Sequence, residues 1–363
     1  MAKFTGFERG MGIGGWLTNY KRFNVIPVEK RLALSPGDFE HFEEYITEKD
    51  IAYIASLGVD HIRVGFDQVV LEESPGVYRE CIFRKLEEFV SWCEKFSLNI
   101  VLNLHKAIGN YCDIPEKIQL MESPELQERF INLWLAVEER FHHKPHIAFE
   151  LLNEVRDIDP ELWNKVADKV IAAMRQKNAN RILIIGGTRW NSPDTLNDMR
   201  IYDDPNIVYT YHFYAPFEFT HQQGVLQADP LCYNRKMPYP GDIERYRDYQ
   251  RYTFGSDEIY KDFERMDINY LERCLAGVVE FEKKHPDIKL WCGEFGTIRH
   301  AKLEWRENYM RDLISLLKKY NSSYCVWNYL STPNDGNRFS LVDDDTRKIL
   351  SSKLADIIIG KID

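Results

Sequence analysis

The sequence lacks several features that mark common classes of protein. It contains no apolar run of about 18 residues, which a transmembrane helix would need. Residues 1–10 have no apolar core of the kind found in signal peptides. The seven cysteines are scattered and form no C-x-x-C pair, so the sequence predicts neither a disulfide framework nor a zinc site. We therefore expect a cytoplasmic protein with free thiols, and an extracellular one only if a leader has been removed.

An excess of positive charge is also missing. The formal net charge is -10, whereas nucleic-acid phosphates require a basic surface. The same charge disfavours an anionic membrane surface or an acidic polysaccharide as a partner. Aromatic residues, by contrast, make up 13% of the chain, and their flat faces suit both core packing and the stacking of neutral sugar rings. We expect a neutral carbohydrate as the partner, no nucleic acid, no membrane, and a monomer.

Apolar strand-like runs alternate with helical runs along most of the chain. The helical patterns predict, among others, helices at residues 81–96, 125–141, 266–284 and 347–359. We count eight strands, at residues 10–17, 60–67, 99–105, 146–154, 181–187, 206–212, 288–294 and 323–328. This alternation predicts an α/β fold with a parallel sheet, and eight units predict a closed (β/α)8 TIM barrel. No Ser-, Gly- or Pro-rich linker interrupts the chain, so residues 1–363 are predicted to form one domain. Residues 213–265 lack clear periodicity, and we expect a long irregular excursion after the sixth strand.

Polar side chains follow the C-terminal ends of these strands, where the active site of such a barrel lies. Glu154 ends the fourth predicted strand, and Glu294 ends the seventh. Two facing carboxyl groups can cleave a glycosidic bond, one as an acid and the other as a nucleophile. The other polar or aromatic residues at these strand ends are Arg63, His105, Asn153, His212, Tyr214 and Trp327.

The neighbours of the two carboxyl groups predict different roles for them. Arg63 and the hydroxyl group of Tyr214 would keep Glu294 ionised, which suits a nucleophile. A less polar neighbourhood and the second carboxylate would raise the pKa of Glu154, which suits an acid. Asn153 can hold a sugar 2-hydroxyl group. Trp327 offers a flat face for the sugar ring at the point of cleavage.

Three alternatives stay open on the residues alone. The carboxylates could form salt bridges at the rim of a barrel, and either histidine could be structural. A metal could bind the two histidines and the two glutamates, although no H-E-x-x-H or other short ligand spacing occurs. A non-catalytic sugar-binding barrel would need one of the two carboxylates to be missing, and both are present. We expect neither a metal nor another cofactor.

Six motifs in the chain resemble those of glycoside hydrolase family 5, the cellulase-type retaining hydrolases with a (β/α)8 fold. They are HIR at 61–63, NLH at 103–105, FELLNE at 149–154, YHFY at 211–214, WCGEFG at 291–296 and VWNY at 326–329. The likeness is closest to clostridial-type single-domain endoglucanases. The resemblance implies that Glu154 is the acid/base and Glu294 the nucleophile, supported by the six strand-end residues above, and it implies a cis peptide bond after Trp327. Many relatives carry two histidines after the third strand, where this chain has His105 and Lys106, so the sugar contacts there are expected to differ.

Residues in the predicted strand-to-helix loops are candidates for lining a cleft, although each could instead pack against the barrel rim. They are Trp16, Tyr20, Lys106, Trp190, Asn191, Phe217, Phe219, His221 and Asn334. The resemblance favours β-1,4-glucan or mixed-linkage β-1,3-1,4-glucan as the substrate. A β-mannanase is an alternative within the same family. An exo-acting β-glucosidase or β-mannosidase is another, because the segment 213–265 could close one end of the cleft.

Overall fold

The predicted barrel is present in the structure, a computed structural model that describes residues 4–18, 34–111, 118–332 and 335–362. Eight parallel strands form a closed ring in chain order, and the last strand pairs with the first. The strands are β1 (Arg9–Leu17), β2 (His61–Asp67), β3 (Asn99–Lys106), β4 (Ile147–Glu150), β5 (Leu183–Gly186), β6 (Ile207–Phe213), β7 (Leu290–Phe295) and β8 (Ser322–Val326). The fourth strand is shorter than predicted, so Asn153 and Glu154 lie in the loop that follows it.

Helices follow most of the strands. They are α1 (Glu48–Ser56), α2 (Glu80–Lys95), α3 (Pro124–Phe141), α4 (Pro160–Lys177), α5 (Ile243–Phe254), α6 (Ala276–Lys284), α7 (Leu303–Lys319) and α8 (Ser352–Ile358). A 3-10 helix at Pro193–Asp198 takes the place of a long helix between β5 and β6. The predicted helix 266–284 is divided into Ile268–Cys274 and α6, and the last helix is shorter than the predicted 347–359. None of the described helices combines the length and apolar character that crossing a membrane requires.

Shorter elements connect the barrel units. They are the helices Pro36–Glu44 and Gln68–Leu71, a left-handed turn at Thr188–Asn191, and a small ladder that pairs Glu72–Ser74 with Val77–Tyr78. Local sequence signals set the starts of the longer helices. At α1 the backbone N–H of Thr47 donates to the carboxylate of Asp50 at 2.8 Å, as in a capping box. Both α3 and α4 begin with proline, directly after a capping Ser123 or Asp159.

The excursion after β6 is ordered, so the prediction of an irregular segment is wrong. It contains the helices Phe217–Thr220 and Ala228–Tyr233, then α5, a 3-10 helix at Glu258–Tyr260, and a ladder that pairs Gly241–Asp242 with Arg265–Met266. Its interior is filled by tyrosine rings, and Tyr239, Tyr246 and Tyr260 are fully buried. Tyrosine carries a large apolar ring as well as a hydroxyl group, so these helices bury surface without an obvious aliphatic stripe.

Two apolar layers lie on the two sides of the strands. Inside the barrel, one cluster comprises Phe4, Phe7, Val101, Ala148, Ile182, Ile184, Val208, Trp291 and Cys325. The larger cluster fills the space between the strands and the helices. Residues alternate between the two faces of a strand, which is why Val101 faces inward while Ile100 and Leu102 face the helices. The interior cluster closes the barrel below the polar residues at the strand ends, so the site is a pocket with a solid floor.

Two glycines of β1 make room for the indole ring of Trp327. A Cβ atom on Gly12 would lie 2.9 Å from Cε3 of that ring, and one on Gly14 would lie 2.4 Å from Cη2. Any side chain at Gly14 would therefore displace the ring. The space beside these two glycines is thus occupied by Trp327.

Candidate active site

Arg63 is the centre of a buried hydrogen-bond network at the C-terminal ends of the strands. Its Nε and Nη2 atoms donate to the two carboxylate oxygens of Glu150, at 2.6 and 2.9 Å. Nη2 also donates to Oδ1 of Asn153 at 2.7 Å, and Nη1 donates to Oε1 of Glu294. The side chain of Arg63 has no exposed surface. A buried guanidinium group with a fixed fork of donors thus sets the positions of three side chains from β4, its following loop and β7.

Glu294 is held as a carboxylate. Its second oxygen, Oε2, accepts a hydrogen bond from the hydroxyl group of Tyr214 at 3.0 Å. Burial by itself would raise the pKa of Glu294, but the charges of His212 and Arg63 outweigh burial and lower that pKa to about 2. Glu294 is therefore ionised at any ordinary pH, as the sequence predicted from the presence of Arg63 and Tyr214.

Glu154 has the opposite electrostatic character. Burial raises the pKa of its carboxyl group, and the charge of Glu294 adds to this, while the hydrogen bond from His212 opposes it. Oε1 of Glu154 lies 2.9 Å from Nδ1 of His212. The backbone of Glu154 has a φ of 38°, a left-handed value that is strained for a side chain of this size. The two carboxyl groups thus differ in pKa in the direction that separates an acid from a nucleophile.

The two carboxyl groups lie close together. One oxygen of Glu154, one of Glu294 and one ring nitrogen of His212 all lie within 4.8 Å of one another. In retaining glycosidases the two carboxyl groups are about 5–5.5 Å apart, against roughly 6.5–9.5 Å in inverting ones, so this spacing fits retention. These three residues are also the described cluster that most resembles a metal-ligand set. The guanidinium group of Arg63 on Glu294 opposes a cation there by charge repulsion.

Trp327 and His105 form one wall of the site. Their rings are nearly parallel, with centroids 5.8 Å apart and an interplanar angle of 7°. Nδ1 of His105 lies 3.0 Å from Oδ1 of Asn103, which orients the imidazole. The peptide bond between Trp327 and Asn328 is cis, as the resemblance implied. Lys106 is buried at the end of β3, in register with Asp67 of β2.

Some of the predicted cleft residues are in the core instead. The prediction for Trp16 is wrong, because its indole is fully buried against Phe89 and donates to the carbonyl group of Phe42 at 2.8 Å. The prediction for Phe219 is also wrong, since that ring is fully buried within the excursion. In β1 every residue from Gly10 to Leu17 is buried, so alternation of polar and apolar residues could not reveal which side chains face the site.

The remaining cleft candidates have mixed positions. Trp190 is exposed over 45% of its surface, and Phe217 is half-buried and stacks on His221 with centroids 4.0 Å apart. His221 itself is buried, and burial lowers its pKa to about 3. Tyr20 and Asn334 lie outside the described residues.

Two buried polar residues were missing from the predicted catalytic set. Glu150 forms both hydrogen bonds to Arg63 described above, and it was visible in the sequence as the one charged residue within an apolar strand. Asn191 had been assigned to the cleft lining. Instead it is fully buried, and its Nδ2 atom lies 3.3 Å from Nε2 of His212. No signal in the sequence could have indicated that contact, because it depends on the path of the loop after β5.

Comparison with known proteins identifies the family. The family model described as "Cellulase (glycosyl hydrolase family 5)" matches residues 23–332. The chain belongs to glycosyl hydrolase family 5. It is therefore a glycoside hydrolase, as the sequence motifs predicted.

Relatives of the chain match most of its length. Endoglucanase C of Acetivibrio thermocellus is 36% identical over 361 residues, which cover 97% of this chain and 98% of that protein. Cellodextrinase A of Ruminococcus flavefaciens is 28% identical, over 82% of this chain and 78% of that protein. The predicted likeness to clostridial endoglucanases is confirmed.

Solved structures support the barrel fold. A hyperthermophilic endo-β-1,4-glucanase, solved in complex with substrate, superposes with a TM-score of 0.74 at 20% identity, covering 99% of this chain and 100% of that one. Endoglucanase Cel5A of Thermotoga maritima gives a TM-score of 0.71 at 23% identity, covering 98% of this chain and 97% of that one. The (β/α)8 fold is confirmed by both.

Proposed function

We propose that the chain is an endo-acting β-1,4-glucanase that cleaves its substrate with retention, using Glu294 as the nucleophile and Glu154 as the acid/base. The observation that carries the proposal is the opposite displacement of the two carboxyl pKa values, with the two groups facing each other across the barrel mouth. The 36% identity to Endoglucanase C supports β-1,4-glucan as the substrate. Mixed-linkage β-glucan fits the same site, because it also contains β-1,4 bonds.

In the first step a carboxylate oxygen of Glu294 attacks the anomeric carbon from below. The bond between that carbon and the glycosidic oxygen breaks, and the proton of Glu154 passes to the leaving oxygen. Positive charge that develops on the sugar ring is stabilised by the negative charge of Glu294 as the new bond forms. Asn153 accepts from Arg63 through Oδ1, which fixes its side-chain amide next to the pair of Arg63 and Glu294, where it can orient a sugar hydroxyl group.

In the second step Glu154, now a carboxylate, takes a proton from water. The water oxygen bonds to the anomeric carbon, and the bond to Glu294 breaks, so both carboxyl groups return to their starting states. Arg63 and Tyr214 donate to the departing Glu294 carboxylate and stabilise its returning charge. Two inversions at one carbon leave the product with the β configuration of the substrate.

Cleavage of short oligosaccharides is a second candidate, favoured by the likeness to Cellodextrinase A. The excursion after β6 begins at a strand end in the barrel mouth and is joined to the loop after β8. There, Oδ1 of Asn337 accepts from the backbone N–H groups of Val225 and Leu226, at 2.7 and 3.0 Å. A high wall on this side would favour chain ends or short substrates over internal bonds of a long polymer.

Release of reducing ends from a substrate panel tests the proposal. We expect activity on barley β-glucan and carboxymethyl cellulose, with less on mannan, xyloglucan and aryl glycosides. A rapid fall in viscosity of the polymer indicates internal cleavage, whereas release of only short sugars without that fall would favour the oligosaccharide alternative. Activity that a chelator abolished would point to a metal-dependent enzyme and would contradict the proposal.

Substitution of the two glutamates tests their assigned roles. Glu294→Ala should remove nearly all turnover on every substrate, because no covalent intermediate can form. Glu154→Ala should slow glucan cleavage by about 10²–10⁴-fold, the usual contribution of general acid catalysis, and should form a β-glycosyl azide from a dinitrophenyl cellobioside when azide is added. Glu161→Ala, on the exposed pair with Arg200, serves as the control and should retain full activity. Proton NMR of the first product must give the β-anomer; an initial α-anomer would exclude the two-step mechanism.

A further inference from the structure

We propose that Asn191 is a positioning residue, which holds the imidazole of His212 in the tautomer whose proton faces Glu154. The inference rests on the proposed function, because it concerns the acid that protonates the leaving group. It adds to the site a residue from the loop after β5, which has no contact with either carboxyl group among the hydrogen bonds of the described residues.

Packing alone does not explain why the side chain of Asn191 is buried. Its side chain has no exposed surface, and the contact with Nε2 of His212 is its one side-chain hydrogen bond within the described residues. The other amide atom, Oδ1, has no hydrogen-bond partner in that part of the chain. A buried amide with so few hydrogen bonds lowers stability relative to an apolar side chain of similar size. Its presence there is better explained by its action on His212.

The backbone around Asn191 has a strained conformation, which directs its side chain towards His212. Arg189, Trp190 and Asn191 have φ values of 47°, 56° and 57°, so three successive non-glycine residues are left-handed. Residues of this conformation normally occur singly, because the left-handed region crowds the Cβ atom. Strain of this kind is retained mainly where function requires it.

Hydrogen bonds fix this left-handed turn to the loop that carries Glu154. The backbone N–H of Trp190 donates to the carbonyl group of Val155 at 2.8 Å, and that of Arg189 donates to the carbonyl group of Arg156 at 3.3 Å. Asn191 is also close to β5, since a Cβ atom on Gly186 would lie 2.5 Å from its Oδ1 atom. The turn thus holds the amide of Asn191 against His212. Its backbone hydrogen bonds also connect Asn191 to the loop that carries Glu154.

The tautomer of His212 decides where the proton of Glu154 can go. A neutral imidazole has one donor nitrogen and one acceptor nitrogen. When Nδ2 of Asn191 donates to Nε2, the proton of His212 must be on Nδ1, which lies 2.9 Å from Oε1 of Glu154 and 3.6 Å from Oε2 of Glu294. In the other tautomer Nδ1 would accept the proton of Glu154 and divert it from the leaving group.

The amide of Asn191 suits both charge states of His212. Burial lowers the pKa of His212, but the charges of Glu294 and Glu154 outweigh burial and raise it, while Arg63 opposes them. If His212 is protonated on both nitrogens, a rotated amide can accept the Nε2 proton through Oδ1. In either state the Nδ1 proton still faces Glu154.

Substrates with different leaving groups test the inference. Asn191→Gly removes the amide and is compatible with the left-handed backbone. We expect its kcat/KM on cellotetraose, which needs a proton for the leaving sugar, to fall by about 10–100-fold. On 2,4-dinitrophenyl β-cellobioside, whose leaving group needs no proton, kcat/KM should stay within about twofold of that of the unsubstituted enzyme. Equal losses on both substrates, or no loss on either, would overturn the inference.

Two further measurements separate the possible failures. Asn164→Ala is a matched control, because Asn164 is a buried asparagine whose side chain, within the described part of the chain, bonds to the backbone of Asp198 and Arg200. It should lower the unfolding midpoint without distinguishing the two substrates. In the unsubstituted enzyme, ¹⁵N NMR at a pH where His212 is neutral should show a protonated Nδ1, and a protonated Nε2 would contradict us. An unsubstituted enzyme inactive on both substrates would instead refute the proposed function.

Discussion

Glu150 balances the charge of Arg63 at the centre of the site. The two side chains form a bidentate pair with no exposed surface on either one. Glu150→Gln would leave a buried guanidinium group compensated only by Glu294, and loss of one partner of a buried pair typically costs about 3–5 kcal/mol of stability. Urea unfolding should show this loss. For comparison, Glu161→Gln at the exposed pair with Arg200 should change the free energy of unfolding by about 1 kcal/mol or less. A similarly small effect of Glu150→Gln would mean that Arg63 does not need this partner.

The opposite pKa displacements of the two catalytic candidates predict a bell-shaped pH profile. Activity needs Glu294 ionised and Glu154 protonated. On glucan, kcat/KM should fall as the pH drops towards the Glu294 pKa of about 2, and it should fall again as the pH rises through the raised pKa of Glu154. The alkaline limb should disappear for a dinitrophenyl glycoside, which needs no proton. If the alkaline limb were the same for both substrates, the group that titrates there would not be Glu154.

The same displacement of Glu294 links pH to stability. Its pKa is lower in the folded protein than in an unfolded chain, so this group stabilises the fold above the unfolded pKa. That stabilisation is lost as the pH falls from about 4 towards 2.

For single residues, the sequence predicted the chemical roles of side chains better than it predicted which side chains pack in the core. Glu154 and Glu294 were found because each follows an apolar run, and polar residues at such positions emerge at the barrel mouth. The pairing of Glu150 with Arg63 could not be predicted, since the two residues are 87 positions apart and the register of their strands is a tertiary property. Trp16 was misassigned because a strand that is buried on both faces carries no alternation.

The excursion after β6 depends on one buried carboxyl group. Glu218, on the short helix Phe217–Thr220, accepts hydrogen bonds from the hydroxyl group of Tyr260 and from Nε2 of Gln250 in α5, the latter at 3.2 Å. Burial raises its pKa. Glu218→Ala should therefore loosen α5, because two buried donors lose their acceptor.

Amide hydrogen exchange can measure this loosening. Exchange in α5 should become about tenfold or more faster in Glu218→Ala, while exchange in the barrel strands stays unchanged, since local opening is independent of the barrel. Glu244→Ala, an exposed position in the first turn of the same helix, is the control and should have a much smaller effect. Equally faster exchange in the strands would show that the excursion and the barrel unfold together.

Elements with an aliphatic stripe or an apolar run were predicted closely, and those held by tyrosines were not. The bounds of α2 and α3 lie within a residue of the predicted 81–96 and 125–141. The helices of the excursion were missed because Tyr, Arg and Asp dominate them. Their burial depends on contacts such as that between Tyr233 and Tyr249, which no local pattern encodes.

For the whole molecule, the count of strands and helices was enough to predict a closed barrel. Each unit is local in sequence, and parallel strands joined by helices have few other ways to bury both faces. Cys93, Cys292 and Cys325 are buried as free thiols, and Cys81 and Cys232 are exposed as free thiols. The cytoplasmic location and the monomeric state stay predictions.

The contact of Trp327 with the glycines of β1 has a consequence for enzyme engineering. The position of the indole in the wall of the site is set by the backbone of a different strand. Libraries that vary Trp327 alone change the size of the ring but not its position in the site. A ring placed deeper or less deep would require a different backbone path of β1. Variants that aim to shift the ring therefore need paired changes at Trp327 and at Gly12 or Gly14.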